Sequence, residues 1–479
     1  MLGKRQLISV LTLAVLAGLL LVAARPAQAQ TEAVLFAQTF TSLFSFDYSN
    51  GARPYLAPLV QGADGNFYGT TTVGGANGPY GAIFKITPSG TLSVVHSFGG
   101  FGDGAYPSAG LVLGTDGNFY GTTEVGGGAY YSGTVFKMTP DGTLTTLHSF
   151  CNDGPPCTDG AQPDAALIQA SNGDFYGTTQ NGGTNNTGAG TVFKITPKGK
   201  LTTLYSFCSQ PNCADGGYPN SSLVQASNGN FYGTTYSTVF KMTAKGTLMT
   251  LHTFTGNDGS NIIAGLVQAS DGSFYGTASA GAPKNDGTVF KITAKGAFTI
   301  LHTFDGDDGI TPEGGLVQAT DGNLYGTTLY GGANLEGTVF KITPSGTLTT
   351  LYSFCLLPSC ADGSEPTGAL LQATNGVLYG TTGWGGTEDE GTVFSVASEL
   401  NPFVFLLTKS GKVNAKVQIL GQGFEGTSAV AFNGVAATYT IVSDTYLTAV
   451  VPAGAMTGYV TVDTASGTLI SSVKFKVVP

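Results

Sequence analysis

Charge is scarce in this sequence. Only 10% of the residues are Asp, Glu, Lys or Arg, and the 20 basic ones never gather into a block. Proteins that bind nucleic acid leave a basic stripe to neutralise phosphates, so a polyanionic partner is disfavoured and no nucleic acid is expected. The net charge of −10 is spread thinly and serves to keep an exported chain in solution. Histidine (4), methionine (5) and tryptophan (1) are rarer still. Zinc-protease, P-loop and G-x-S-x-G patterns are missing, which removes the usual residues of those chemistries. Beyond the N-terminus no apolar run approaches the ~20 residues that a membrane helix needs.

What the chain does have is glycine. There are 72 in 479 residues, about twice the usual share of roughly 7%. With 21 Tyr, 29 Phe and 41% apolar residues this is no disordered linker. It reads as many short strands joined by tight turns. The opening "MLGKRQLISVLTLAVLAGLLLVAARPAQAQ" places Lys4 and Arg5 before an apolar run from Leu7 to Ala24, and then Ala27-Gln28-Ala29. It reads as a signal peptide over residues 1–29, with an uncleaved anchor as the alternative because the run exceeds ~15 residues. The expected location is therefore extracellular or at the cell surface. The cysteines fall as close pairs, Cys151 with Cys157, Cys208 with Cys213 and Cys355 with Cys360. Export makes these local disulfides, since the spacings and the lack of nearby histidine do not suit zinc.

One phrase, "DGNFYGTT" at Asp116, recurs with small edits around Tyr68, Tyr120, Tyr176, Tyr232, Tyr275, Tyr325 and Tyr379. The spacing is that of propeller blades. Each unit carries four strand-like segments: "GLVQA", "NFYGTT", "GTVFKIT" and "LTTLHSF", separated by turn formers. The last unit lacks its fourth segment, while Thr41 to Phe46 supplies one before the first unit begins. An all-β, seven-bladed β-propeller over residues 41–399, closed by the N-terminal strand, follows, with no open sheet edge between its ends. Gly69, Gly121 and their equivalents are expected where neighbouring backbones come close.

These units resemble the GloVer tandem repeat of exported bacterial proteins. The resemblance implies export and a propeller-like fold, and brings no catalytic or binding residues. Residues 401–479 lack the phrase. Through Gly421, Gly423 and Phe424, Phe432-Asn433-Gly434, Ser443-Asp444-Thr445 and Val451-Pro452-Ala453-Gly454-Ala455, this part resembles an IPT/TIG domain, a small Ig-like β-sandwich that serves as spacer or contact module.

Chemistry is harder to find. His96, His148, His252 and His302 share a column with Phe44, Tyr205 and Tyr352, so the column is an aromatic packing position and not a ligand set. Lys85, Lys137, Lys194, Lys241, Lys291 and Lys341 form another column, with Ser395 in the last unit, and are expected to link blades. Copper radical oxidases also join a propeller to a sandwich, but need a free cysteine and converging histidines. Asp305, Asp307 and Asp308 in "DGDDG" could hold calcium, although a solvated turn explains them. No metal or other cofactor is expected.

The first and third turns of each unit are short and uniform, whereas the second turns and inter-blade loops vary and carry every cysteine. Variable loops on a rigid frame form binding faces. Before the Gly-Gly pair of the second turn stand Val73, Val125, Asn181, Ala280, Tyr330 and Trp384. Trp384 and Tyr330, with Tyr80, Tyr130 and Tyr131, offer rings for stacking, and Glu388, Asp389 and Glu390 offer acceptors for hydroxyl groups. The expected protein is a monomeric, non-catalytic recognition or scaffold protein whose partner is an extracellular glycan or a surface protein. Three alternatives stay open: Trp384 packs over the ring closure, Asp389 and Glu390 serve a carbohydrate-active enzyme as acid and base, or the protein is a spacer without a ligand.

Overall fold

The computed structural model describes residues 39–185 and 187–479, so the expected signal peptide lies outside the described residues. The repeats form seven four-stranded antiparallel sheets. In the first, Val60–Gln61, Phe67–Thr71, Ala82–Ile86 and Leu92–Ser97 follow in order from one edge to the other. The last takes its outer strand from the N-terminus, where Phe40–Ser45 pairs with Thr392–Val396. Blades are numbered 1 to 7 by their repeated tyrosines. Apolar cores link each blade to the next and blade 7 back to blade 1, which closes the cycle.

Each letter of the phrase has a place in this packing. The second and third strands are buried along nearly their whole length, because each blade is covered on both faces by its neighbours. Such strands are apolar throughout and do not alternate. The tyrosine of one blade lies over the phenylalanine of the next: Tyr68 on Phe119 at 4.2 Å, Tyr120 on Phe175 at 3.9 Å, and across the closure Tyr379 on Phe67 at 4.2 Å. The first threonine bonds the next blade's backbone, as Thr70 does to Ala109 O at 2.9 Å. The second meets the threonine of "TVF" within its own blade, as Thr123 does Thr134 at 2.8 Å.

Two expectations need correction. Gly69 makes room for side chains and not for a neighbouring backbone, since a Cβ there would lie 2.5 Å from the Phe84 ring and 2.8 Å from Leu59. The lysines of "FKIT" do not link blades. Each salt bridge in this column stays inside one blade, reaching the aspartate of the first turn: Lys137 to Asp116 at 3.1 Å and Lys291 to Asp271 at 2.9 Å. That aspartate also accepts the tyrosine hydroxyl, 2.8 Å from Tyr120 and 2.9 Å from Tyr275, so one carboxylate gathers three strands of its blade.

A second clasp does run between blades. The glutamine of "LVQA" accepts a backbone N–H from the preceding blade's first turn, as Gln225 does from Ser171 and Gln61 from Thr374. Gln169, Gln268, Gln318 and Gln372 act likewise. Blade 2 departs from this pattern, because its segment reads "LVLG" and places Leu113 there. Leu113 is buried against Leu420, with Leu407 and Tyr446 packed alongside, all three from the C-terminal part of the chain.

That part holds two four-stranded sheets, with Lys416–Leu420 and Tyr446–Val450 central in one and Ala429–Phe432 and Val460–Thr464 central in the other, around one shared apolar core. Gly421 and Asp444 shape its docking corner. A Cβ on Gly421 would strike the Phe424 ring at 2.3 Å, and Asp444 accepts the N–H groups of Gly423 and Glu425. Among the described residues the module's hydrogen bonds to the ring go to first turns: Thr445 to Ala63 O at 2.8 Å, Gln418 to Thr115 O at 2.7 Å, Lys476 to Ser227 O at 3.4 Å, and Thr374 to Gly421 O at 3.3 Å. It therefore occupies the uniform face and leaves the variable face open.

Candidate functional site

The variable face is held by a repeated latch. Each inter-blade loop turns at an Asx-Gly pair whose glycine has positive φ, +101° at Gly104, where a Cβ would strike Thr123 Oγ1. The residue after the glycine bridges to the second turn, as Ala105 does to Val125 and Ser364 to Trp384. The aspartate before it accepts the aromatic column of the outer strand: His96 meets Asp103 at 3.1 Å, His148 Asp159 at 2.9 Å, His252 Asp258 at 2.8 Å and His302 Asp308 at 2.7 Å. Tyr205 and Tyr352 donate equivalently to Asp215 and Asp362. At the closure Phe44 cannot donate, and the loop there carries Asn50 in place of aspartate. The histidines are thus structural, but by hydrogen bonding as well as packing. The paired change of Phe44 with Asn50 is the signal by which the sequence could have revealed it.

The proposed binding residues separate into two groups. Around blades 6 and 7, Trp384 is not a free platform, because the Arg53 guanidinium lies 4.0 Å from its ring centre across the ring closure. Arg53 also stands 3.9 Å from Glu390, and Asp389 accepts the Gly385 N–H at 3.0 Å. Glu388 is exposed. Tyr330 is 40% exposed, beside Glu365, Glu313 and Glu336. Around blades 1 and 2, Tyr80 is half-buried against Gly100, whereas Tyr130 and Tyr131 are exposed and Phe101 joins them, 5.8 Å from Tyr131.

Sequence reasoning missed the axis. A cavity of about 150 Å³ is lined by the first segment of every blade, mostly by small residues such as Ala109, Ser221, Gly265 and Ala369. Four of its polar groups follow the prolines of the inter-blade loops: Asp164 after Pro163, Asn220 after Pro219, Glu313 after Pro312 and Thr367 after Pro366. This is a second variable column, legible as the residue after the loop proline. Tyr55, after Pro54 and next to the lining residue Leu56, donates to Glu313 Oε2 at 3.1 Å over the intervening blade 7. Burial pushes the Asp164 carboxyl up to about 8, with Glu124 adding to the rise. Burial also raises Glu313, helped by Glu365 against the Tyr55 bond, and raises Glu365, helped by Glu336 and Asp389. Asp164 Oδ1 and Asn220 Oδ1 have no protein partner in the cavity. At about 150 Å³ the space suits several waters, each needing ~30 Å³, so a ligand of sugar or peptide size meets the surrounding loops.

Among the described residues no three His, Cys, Asp or Glu side chains converge to hold a metal. Asp308 is committed to His302, and Asp305 faces Lys284 at 3.9 Å. All six cysteines are paired as disulfides. No described helix is long and apolar enough to cross a membrane.

The family model described as the Gloeobacter/Verrucomicrobia repeat matches residues 20–238 and 235–436, and the chain belongs to that repeat family. No curated protein sequence matches it. Among solved structures, a streptogramin B lyase is similar at 17% identity and a TM-score of 0.52, over 76% of this chain and 98% of that one. A catalytically inactive virginiamycin B lyase from Staphylococcus aureus with quinupristin is similar at 15% identity and a TM-score of 0.53, over 75% and 99%. The extracellular domain of a hybrid two-component system from Bacteroides thetaiotaomicron is similar at 12% identity and a TM-score of 0.51, over 92% of this chain and 58% of that one. Such identities establish a shared propeller-like fold and nothing about the ligand.

Proposed function

We propose that this member of the repeat family is an extracellular, non-catalytic recognition protein whose variable face takes a glycan or a surface protein. On this reading residues 1–29 direct export, residues 41–399 form the binding ring, and residues 401–479 are an Ig-like module of IPT/TIG type that backs the opposite face as a spacer. The observation that carries it is where large apolar side chains are left in water. Apart from outer-strand positions, the exposed ones of the ring, among them Phe101, Tyr130, Tyr131, Tyr236, Tyr330 and Leu335, sit on second turns and inter-blade loops. Rings held out by a latched, disulfide-braced frame lose little entropy on binding, and exposed apolar groups gathered on one face mark interaction surfaces.

The test is to incubate residues 30–479 with an array of polysaccharides, oligosaccharides and surface proteins, reading retained protein and released products together. Retention without product supports recognition. Released reducing ends or unsaturated products replace it with the enzyme alternative, and silence in both readouts leaves a spacer.

A further inference from the structure

At the outer edge of the variable face, between blades 2 and 3, a cavity of about 320 Å³ opens between the Cys151–Cys157 disulfide loop and the outer strand Leu201–Ser206. That is the lower end of the size of small-molecule sites, roughly 300–1,000 Å³. Two of its polar groups are spent: Asp159 accepts from His148 and from the Cys151 N–H, which fixes the loop. Three are not. Among the described residues the Asp153 carboxylate and the hydroxyls of Thr158 and Thr203 have no partner in the chain. Tyr130 stands at the lip, packed so closely on Gly154 that a Cβ there would lie 2.9 Å from its hydroxyl. Tyr130 as a whole is 51% exposed.

No other blade junction combines these features. The position two after the loop's first cysteine is Asp153 here, but Gln210 and Leu357 in the other disulfide loops, and only blade 2 has adjacent tyrosines in its second turn. A single free carboxylate cannot cage a cation. An apolar peptide would bury the three polar groups without satisfying them. A carboxylate that accepts from two adjacent hydroxyls, two hydroxyls that donate or accept, and a ring for a C–H face together match a sugar.

We propose that this pocket is a carbohydrate subsite that takes one neutral sugar residue of a glycan, with Tyr130 as the stacking platform and Asp153 as the acceptor. The proposal rests on the recognition reading above and names the ligand class of that face. The test probes an array of neutral oligosaccharides with residues 30–479 and titrates the retained ones by calorimetry. Tyr130→Ala and Asp153→Ala are each expected to weaken binding about tenfold. Tyr130→Phe keeps affinity, and Trp384→Ala leaves it unchanged. Both positions are exposed, and unchanged thermal unfolding checks the fold of each variant. If neutral glycans bind but ignore Tyr130→Ala and Asp153→Ala, the subsite is wrong and the recognition reading stands. If only charged glycans or proteins are retained, the subsite again fails alone; if nothing is retained, both fail.

Discussion

Most junctions of the ring are clasped by a glutamine that reaches the preceding blade's first turn, whereas the junction between blades 1 and 2 has Leu113 at that place. There the C-terminal module supplies what the repeat omits. Leu420 fills the apolar space, Thr445 donates to Ala63 O in the turn of blade 1, and Gln418 donates to Thr115 O in that of blade 2. The difference teaches that a break in a repeat can be an address. A position that bonds inward in the other blades turns apolar where another element must dock; the module's apolar anchor is thereby set at one junction, while its further bonds to Thr374 and Ser227 keep it on one face.

The largest effect is expected where the two kinds of junction differ most. Leu420→Ala opens a cavity beneath both the module and Leu113 and should cost roughly 2–5 kcal/mol, read from urea unfolding; a cost near zero would mean that the module does not brace the ring. Next come the reciprocal exchanges. Gln225→Leu removes the acceptor of the solvent-exposed Ser171 N–H, for about 0.5–1.5 kcal/mol, and Leu113→Gln buries an amide against Leu420, for about 1–3 kcal/mol. Indifference to either exchange would make the positions interchangeable and dissolve the comparison.

The polar side of a clasped junction offers a smaller test. Asp164 has a folded-state pKa of about 8, well above its ordinary 3.8. Its neutral form suits the fold, so its contribution is complete below pH 4 and fades as pH rises to 8. Asp164→Asn should raise Tm by about 2 °C at pH 9 and leave it unchanged at pH 4. A wild-type curve that does not fall relative to the variant between those values would place Asp164 in a solvated site.

The smallest effect concerns the latch that blades 5 and 6 share and that the closing strand lacks. His302→Phe mimics Phe44 and should cost about 0.5–1.5 kcal/mol. Burial works to raise the Asp308 carboxyl, but the bonds from His302 and the Asp305 N–H win and hold it below the usual range. Stability from this aspartate is present above its unfolded pKa and is lost as pH falls through the lower folded value, so the variant should show a shallower acid limb. An identical limb would mean that the latch adds only packing.

Much of the fold was legible because repetition writes local rules many times over. Strand order, closure through the N-terminal strand and the cysteine pairs each rest on residues near one another in the chain or on copies of one phrase. The histidine column was legible as structural from Phe44, yet its aspartate partners were read only as turn formers. The axial residues were missed because the signal after each loop proline lies in variability, not in a motif. For Trp384 the sequence offers two readings, a stacking platform or packing over the ring closure, and only the position of Arg53, at the far end of the ring in sequence, selects the second.

By itself, then, the sequence determined the repeated blade, because short-range turn chemistry and apolar content are properties of adjacent residues. Only the tertiary structure decided which rings stay exposed, which carboxylates are buried together and where the module docks. Those depend on distances between residues hundreds of positions apart, as from Tyr55 to Glu313, which exist only once the ring has closed.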